Sequence, residues 1–147
     1  MEQLNVSICV RKNVLAVLLT RNGKLISRTV ENIKDSTIVD SVYLSLLYGI
    51  KKSLLKVRNY LENNSDVESV VFELNNSTLV SWIKSCVAKE AYQDSFIEVM
   101  RLLQEIPMQY TFVVNAKPKA LRFADKAYIV KDLKLTNFSF DDFEEEG

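Results

Sequence analysis

Residues 37–62 constrain this chain more than any other stretch. Apolar residues recur there at Val39, Tyr43, Leu46, Leu47, Ile50, Leu54, Val57 and Leu61. These steps of three and four share one face of a 3.6-residue period. A helix this long with a continuous apolar stripe has to be laid against a sheet or against other helices, so the rest of the chain must supply that surface. Thr37-x-x-Asp40 reads as the capping pair that opens the helix, with Asp40 near the positive end of its dipole. Lys51, Lys52, Lys56 and Arg58 follow in the C-terminal half, where cations are favoured, and Glu62-Asn63-Asn64-Ser65-Asp66 is a turn-forming cluster that ends the pattern.

The surface is supplied on both sides of that helix. Before it, residues 4–10 and 14–20 are strand-like runs separated by Arg11-Lys12-Asn13. The second run leads through Asn22-Gly23 into a third around Leu25-Ile26 and Thr29-Val30; Asn-Gly between strand-like runs signals a tight hairpin, giving a three-stranded antiparallel meander. After the helix, residues 67–74 form a strand, and Asn75-Asn76-Ser77 makes the turn and N-cap of a helix over residues 78–87. A further helix spans about 92–105 and is stopped by Pro107, residues 110–114 make another strand, and Pro118 is placed to open a helix running to about Val130. Periodicity ends near residue 132. A single domain over residues 1–131 is therefore expected, followed by an acidic, aromatic C-terminal tail over 132–147.

Charge divides the chain in the same way. Five of its 19 acidic residues, Asp141, Asp142, Glu144, Glu145 and Glu146, fall after residue 140, so the preceding part holds 19 basic against 14 acidic residues. The body is mildly basic and the tail acidic. There is no histidine, which removes His-dependent triads, His general bases and His-ligated zinc. Cys9 and Cys86 make neither a disulfide framework nor a metal motif, no apolar run reaches membrane-spanning length, and no signal-peptide pattern opens the chain; the expected location is the cytoplasm.

Three short motifs occur in order along these elements. Tyr43-Leu44-Ser45-Leu46-Leu47-Tyr48-Gly49-Ile50-Lys51 resembles E-Y-x-A-L-x-x-G-L-K, Asn76-Ser77-Thr78-Leu79-Val80-x-x-Ile83 resembles D-S-x-L-V-x-x-I, and Ala124-Asp125-Lys126-Ala127 resembles A-D-x-L-A. All three are signatures of the plant and archaeal-type branch of the ribonuclease H family, and the resemblance covers about residues 4–130. It implies an α/β, ribonuclease H-like fold: a mixed five-stranded sheet in the order β-β-β-α-β-α-α-β-α, with helices on both faces.

That family cleaves the RNA strand of RNA–DNA hybrids with a pair of divalent ions held by four carboxylates. Carried over residue by residue, the resemblance puts Val42 at the helix glutamate and Asn76 at the fourth-strand aspartate. No acid stands in Ser7-Ile8-Cys9, where the first-strand aspartate belongs, and Asp125 alone keeps a carboxylate. One carboxylate does not organise two hard cations. The expectation is a catalytically inactive ribonuclease H-like protein, without resident metal or cofactor, acting as a binding component in a nucleic-acid-related process. Candidate phosphate contacts are Arg11, Lys12, Lys52, Lys56, Lys84, Lys117, Lys119 and Arg122. An alternative is a protein–protein adaptor; a third reading is a nuclease with a rearranged site built from Asp40, Glu73 and Asp125. In the tail, Phe140, Asp141, Asp142 and Phe143 interleave rings with acids, a pattern suited to a protein partner or to the chain's own basic face.

Overall fold

The computed structural model describes residues 2–132, with side chains along the last helix through Tyr128. Strands β1 (Gln3–Arg11), β2 (Val14–Arg21) and β3 (Lys24–Asn32) form the expected antiparallel meander. Asn22 and Gly23 both take positive φ, 54° and 75°, as a two-residue hairpin turn requires. Two further strands, β4 (Ser69–Leu74) and β5 (Gln109–Val114), pair in parallel, β4 with β1 and β5 with β4. The result is one mixed five-stranded sheet in the order β3-β2-β1-β4-β5.

The helical stretch breaks where the sequence pattern ran through. A single turn, α1 (Ser36–Val39), precedes the long helix α2 (Val42–Glu62). Thr37 and Asp40 do not form the expected N-terminal capping pair, Asp40 instead closing α1 as its C-cap: Asp35 accepts from the Thr37 amide, and Ser41, with extended φ −123° and ψ 124°, accepts from the Leu44 amide. Two good N-cap residues six positions apart each opened a helix, and the extended backbone at the second prevents one continuous rod. The apolar stripe of α2 is buried as expected through Leu46, Leu47, Ile50, Leu54 and Val57. Gly49 lets the helix settle on the sheet, since a Cβ there would lie 2.8 Å from Leu15 Cδ1 and 3.0 Å from Ile8 Cγ2.

The sheet is covered on both faces because β1 and β2 are apolar on both. Leu4, Val6 and Ile8, with Leu15, Val17 and Leu19, pack under α2. The same core takes in α3 (Ser77–Ser85) and α4 (Gln93–Leu103), the latter preceded by a 3-10 turn at Glu90–Tyr92. On the opposite face Cys9, Val14, Ala16 and Leu18 meet α5 (Leu121–Asp132) through Ala120, Phe123, Ala124 and Ala127, and these small side chains bring that helix close. Stacked Phe72 and Phe112, 4.5 Å between centroids, join β4 to β5. Helix α3 ends two residues earlier than expected, with Cys86 in the left-handed region (φ 60°), and α5 begins three residues after Pro118. Trp82 is half buried and packs against the main core beside Tyr43 and Tyr92, at 4.9 and 5.7 Å between ring centroids. No described helix is long and apolar enough to cross a membrane.

Candidate functional site

Strands β1 and β4 run parallel with their ladder ending at Ser7↔Glu73, β1 continues to Arg11 beyond the end of β4 at Leu74, and α2 and α3 begin at that same end of the sheet. Open α/β sheets form their ligand crevices beyond the carboxyl ends of such strands. Here the crevice is a cavity of about 360 Å³. Its floor is Ile8, Cys9 and Val10 of β1, with Arg11 and Lys12 continuing into the turn at one side. Val39 and Val42 form the facing wall, Asn75 closes the β4 end, and Leu121 at the start of α5 completes it. Because Ser41 takes the cap position, Val42 is the first residue of α2 and is 66% exposed.

The structure therefore brings Val42 to the cleft together with Cys9, out of the Ser7-Ile8-Cys9 stretch. Of the two asparagines after β4 it is Asn75 that lines the cavity; Asn76 Oδ1 is committed to the Leu79 amide at 2.8 Å as the cap of α3. Asp125 lies beside this floor, where Arg11 Nε meets its Oδ1 at 3.0 Å. Burial, and next the Asp125 charge, push the Cys9 thiol up to about 11, against a smaller lowering by Arg11. At neutral pH Cys9 is thus a protonated, weakly polar group.

Asp40, Glu73 and Asp125 do not form one site. Asp40 is exposed between α1 and α2. Glu73 accepts from Asn115 Nδ2 at 2.9 Å and from the Lys119 amide at 2.7 Å, and the buried Ser7 hydroxyl accepts from the Ala120 amide at 2.8 Å. These contacts tie the loop before α5 to the ends of β1 and β4, which is a positioning role. Among the described residues no group of three or more His, Cys, Asp or Glu side chains is arranged to hold a metal ion.

The candidate cations separate by face. Arg11 and Lys12 both lie over the Tyr128 ring, 5.1 and 5.3 Å from its centroid, and Arg122 sits 4.8 Å from that of Phe123. Lys117 and Lys119 are exposed in the β5–α5 loop, at the same end of the sheet. Lys52, Lys56 and Lys84 belong to helices on the opposite face, and Lys52 is turned toward Glu31 Oε1 (4.0 Å) and the Tyr48 ring (5.5 Å). Phe140, Asp141, Asp142 and Phe143 lie outside the described residues. Reading the sequence alone missed Val39, Asn75 and Leu121 as cleft residues and Arg28 as a further cation beside Phe123, at 5.7 Å. The register Ser7↔Glu73, which sets where β1 and β4 end relative to each other, carries no local sequence signal.

No family model and no curated protein matches the chain. Solved structures do resemble it. LC11-RNase H1, a ribonuclease H1 isolated from compost, solved in complex with an RNA/DNA hybrid, is 16% identical, with a TM-score of 0.64 over 90% of this chain and 99% of that one. The N-terminal ribonuclease H domain of Rv2228c from Mycobacterium tuberculosis is 11% identical, with a TM-score of 0.59 over 91% and 99%. Ribonuclease H1 from the halophilic archaeon Halobacterium salinarum is 8% identical, with a TM-score of 0.58 over 85% and 98%. At such identities the likeness is one of architecture, and it agrees with the strand order, the crossovers and the two-faced helical cover described above: this chain has the ribonuclease H-like fold.

Proposed function

We propose that this chain is a ribonuclease H-fold domain that binds nucleic acid without cutting it. The observation that carries the reading is the chemistry of the cleft. A pair of divalent ions needs several anionic oxygens. The cleft offers Val42 with no donor atom, a protonated Cys9 thiol, the Asn75 amide, and beside them an Asp125 carboxylate engaged by Arg11. That donor set does not fit two hard cations.

Phosphate binding needs no metal, because cations and backbone amides suffice. Arg11, Lys12, Lys117, Lys119 and Arg122 supply it around the cleft end of the molecule. The likeness to a ribonuclease H1 held on an RNA/DNA hybrid supports nucleic acid as the ligand class.

A labelled RNA–DNA hybrid, incubated with the protein in Mg²⁺ or Mn²⁺ and run on native and denaturing gels, tests both halves. The expected result is a mobility shift with uncut strands. Lys119→Glu should weaken binding and lower the slope of log affinity against log salt by about one. Lys52→Glu should do less, being held by Glu31 on the other face. Metal-dependent cleavage that disappears in Asp125→Asn would overturn the inactive reading. Absence of any shift would remove nucleic acid and leave the protein-adaptor reading, with Phe140 and Phe143 as the anchors.

A further inference from the structure

We infer that the cleft is a receptor for the chain's own Phe140-Asp141-Asp142-Phe143 segment, which competes there with nucleic acid. The competition rests on the nucleic-acid reading above; the docking does not. Three observations lead to it.

The first is the character of the cavity. Val39, Val42 and Leu121 give it an apolar wall, and Val42 is two-thirds exposed in a position where an apolar side chain gains nothing from water. Arg11 and Lys12 make the other side cationic. An apolar wall beside paired cations suits an aromatic ring followed directly by carboxylates. This sequence provides that combination at Phe140-Asp141-Asp142-Phe143, with Glu144, Glu145 and Glu146 after it.

The second is reach. Leu121, which lines the cavity, is the first residue of α5 and Asp132 is its last. At 1.5 Å per residue the helix carries the chain about 17 Å away along its axis. Residues 133–139 span up to about 23 Å when extended. Phe140 can therefore return to Val42 and Leu121, and a connection this short keeps the effective concentration in the millimolar range.

The third is charge. Arg11 meets Asp125 at 3.0 Å, and over the Arg11–Lys12 turn and residues 121–128 the sequence sets four basic residues, Arg11, Lys12, Arg122 and Lys126, against the single acid Asp125. Five carboxylates between residues 141 and 146 complement that excess. Phosphates would be drawn to the same cations, which makes the two ligands exclusive.

The test uses the full chain. Two-dimensional ¹H–¹⁵N spectra of the wild type and of Phe140→Ala/Phe143→Ala should differ at the amides of Lys12, Val39, Val42 and Leu121, by the same amount at low and high protein concentration. In a background of Val42→Glu, an exposed position, adding Phe140→Ala/Phe143→Ala should produce no further shift at Lys12 and Leu121. Spectra without differences at these residues would overturn the docking, and concentration-dependent shifts would assign the occupant to a second copy and overturn it as well. In parallel, fluorescence anisotropy with a fluorescein-labelled RNA–DNA hybrid at low salt should show the double variant binding on the order of tenfold more tightly. If neither protein binds the hybrid while the cleft shifts remain, the nucleic-acid reading falls and the docking stands. If both bind equally and the spectra coincide, the docking falls alone.

Discussion

Burial alone would raise the affinity of the Glu73 carboxyl for a proton, but the Lys119 amide and the Asn115 and Ser7 side chains hydrogen-bond to its charged form and hold it below its ordinary range. A carboxyl with a depressed folded pKa stabilises the fold above the unfolded value, about 4.3, and loses that contribution as pH falls through the folded one. The urea midpoint of the wild type should therefore drop between neutral pH and pH 3 by more than that of Glu73→Gln; equal drops would show that Glu73 does not contribute. Gly49 poses a second question at this scale. Alanine in a helix interior gains up to about 1 kcal/mol over glycine, while overpacking a filled core costs about 1–3 kcal/mol. Leu15 and Ile8, both fully buried, are what the new methyl would meet at 2.8 and 3.0 Å, so crowding wins. Gly49→Ala should lower stability by about 1–2 kcal/mol in urea titration. Sequence reasoning stopped at this scale wherever direction mattered. Adjacent asparagines look alike in a string, and only the turn after β4 decides that Asn75 faces the cleft while Asn76 caps a helix.

The elements themselves were far more legible. Period and turn chemistry located all five strands and the principal helices, because each was marked by an apolar repeat and a stop residue. The exception is instructive: residues 36–62 keep an apolar repeat through a break, since Val39 packs against the same core from α1 that the stripe of α2 enters. Periodicity reports burial, and burial does not require continuous helix. Ser41 marked the true start but was overshadowed by the Thr37-x-x-Asp40 spacing. Along α2 the clearest consequence is at Leu47, 1% exposed and facing the sheet. Leu47→Ala should cost about 2–5 kcal/mol by thermal or urea unfolding, and a loss below about 1 kcal/mol would contradict this packing.

For the molecule as a whole, the order of elements was enough to suggest the sheet, because a meander followed by alternating helix and strand leaves few right-handed solutions. The cleft was legible only through the motif resemblance, which brought Val42 and the Ser7-Ile8-Cys9 stretch to one site; its remaining lining from α1, the β4 end and the start of α5, segments up to about 110 residues apart, left no local signal. The parallel ladder between β1 and β4 also has a meaning in time. Gln3 finds its partner Ser69 only after the intervening hairpins and long helix exist. During synthesis β1 therefore waits with β2 on one side and a bare row of amides and carbonyls on the other. A nascent chain ending before residue 69 leaves the β1 edge bare, and one ending between residues 75 and 108 leaves the β4 edge bare instead, so self-association should fall only once residues 109–114 are present to pair with β4, a difference that sedimentation of ribosome-released fragments of these three lengths would record.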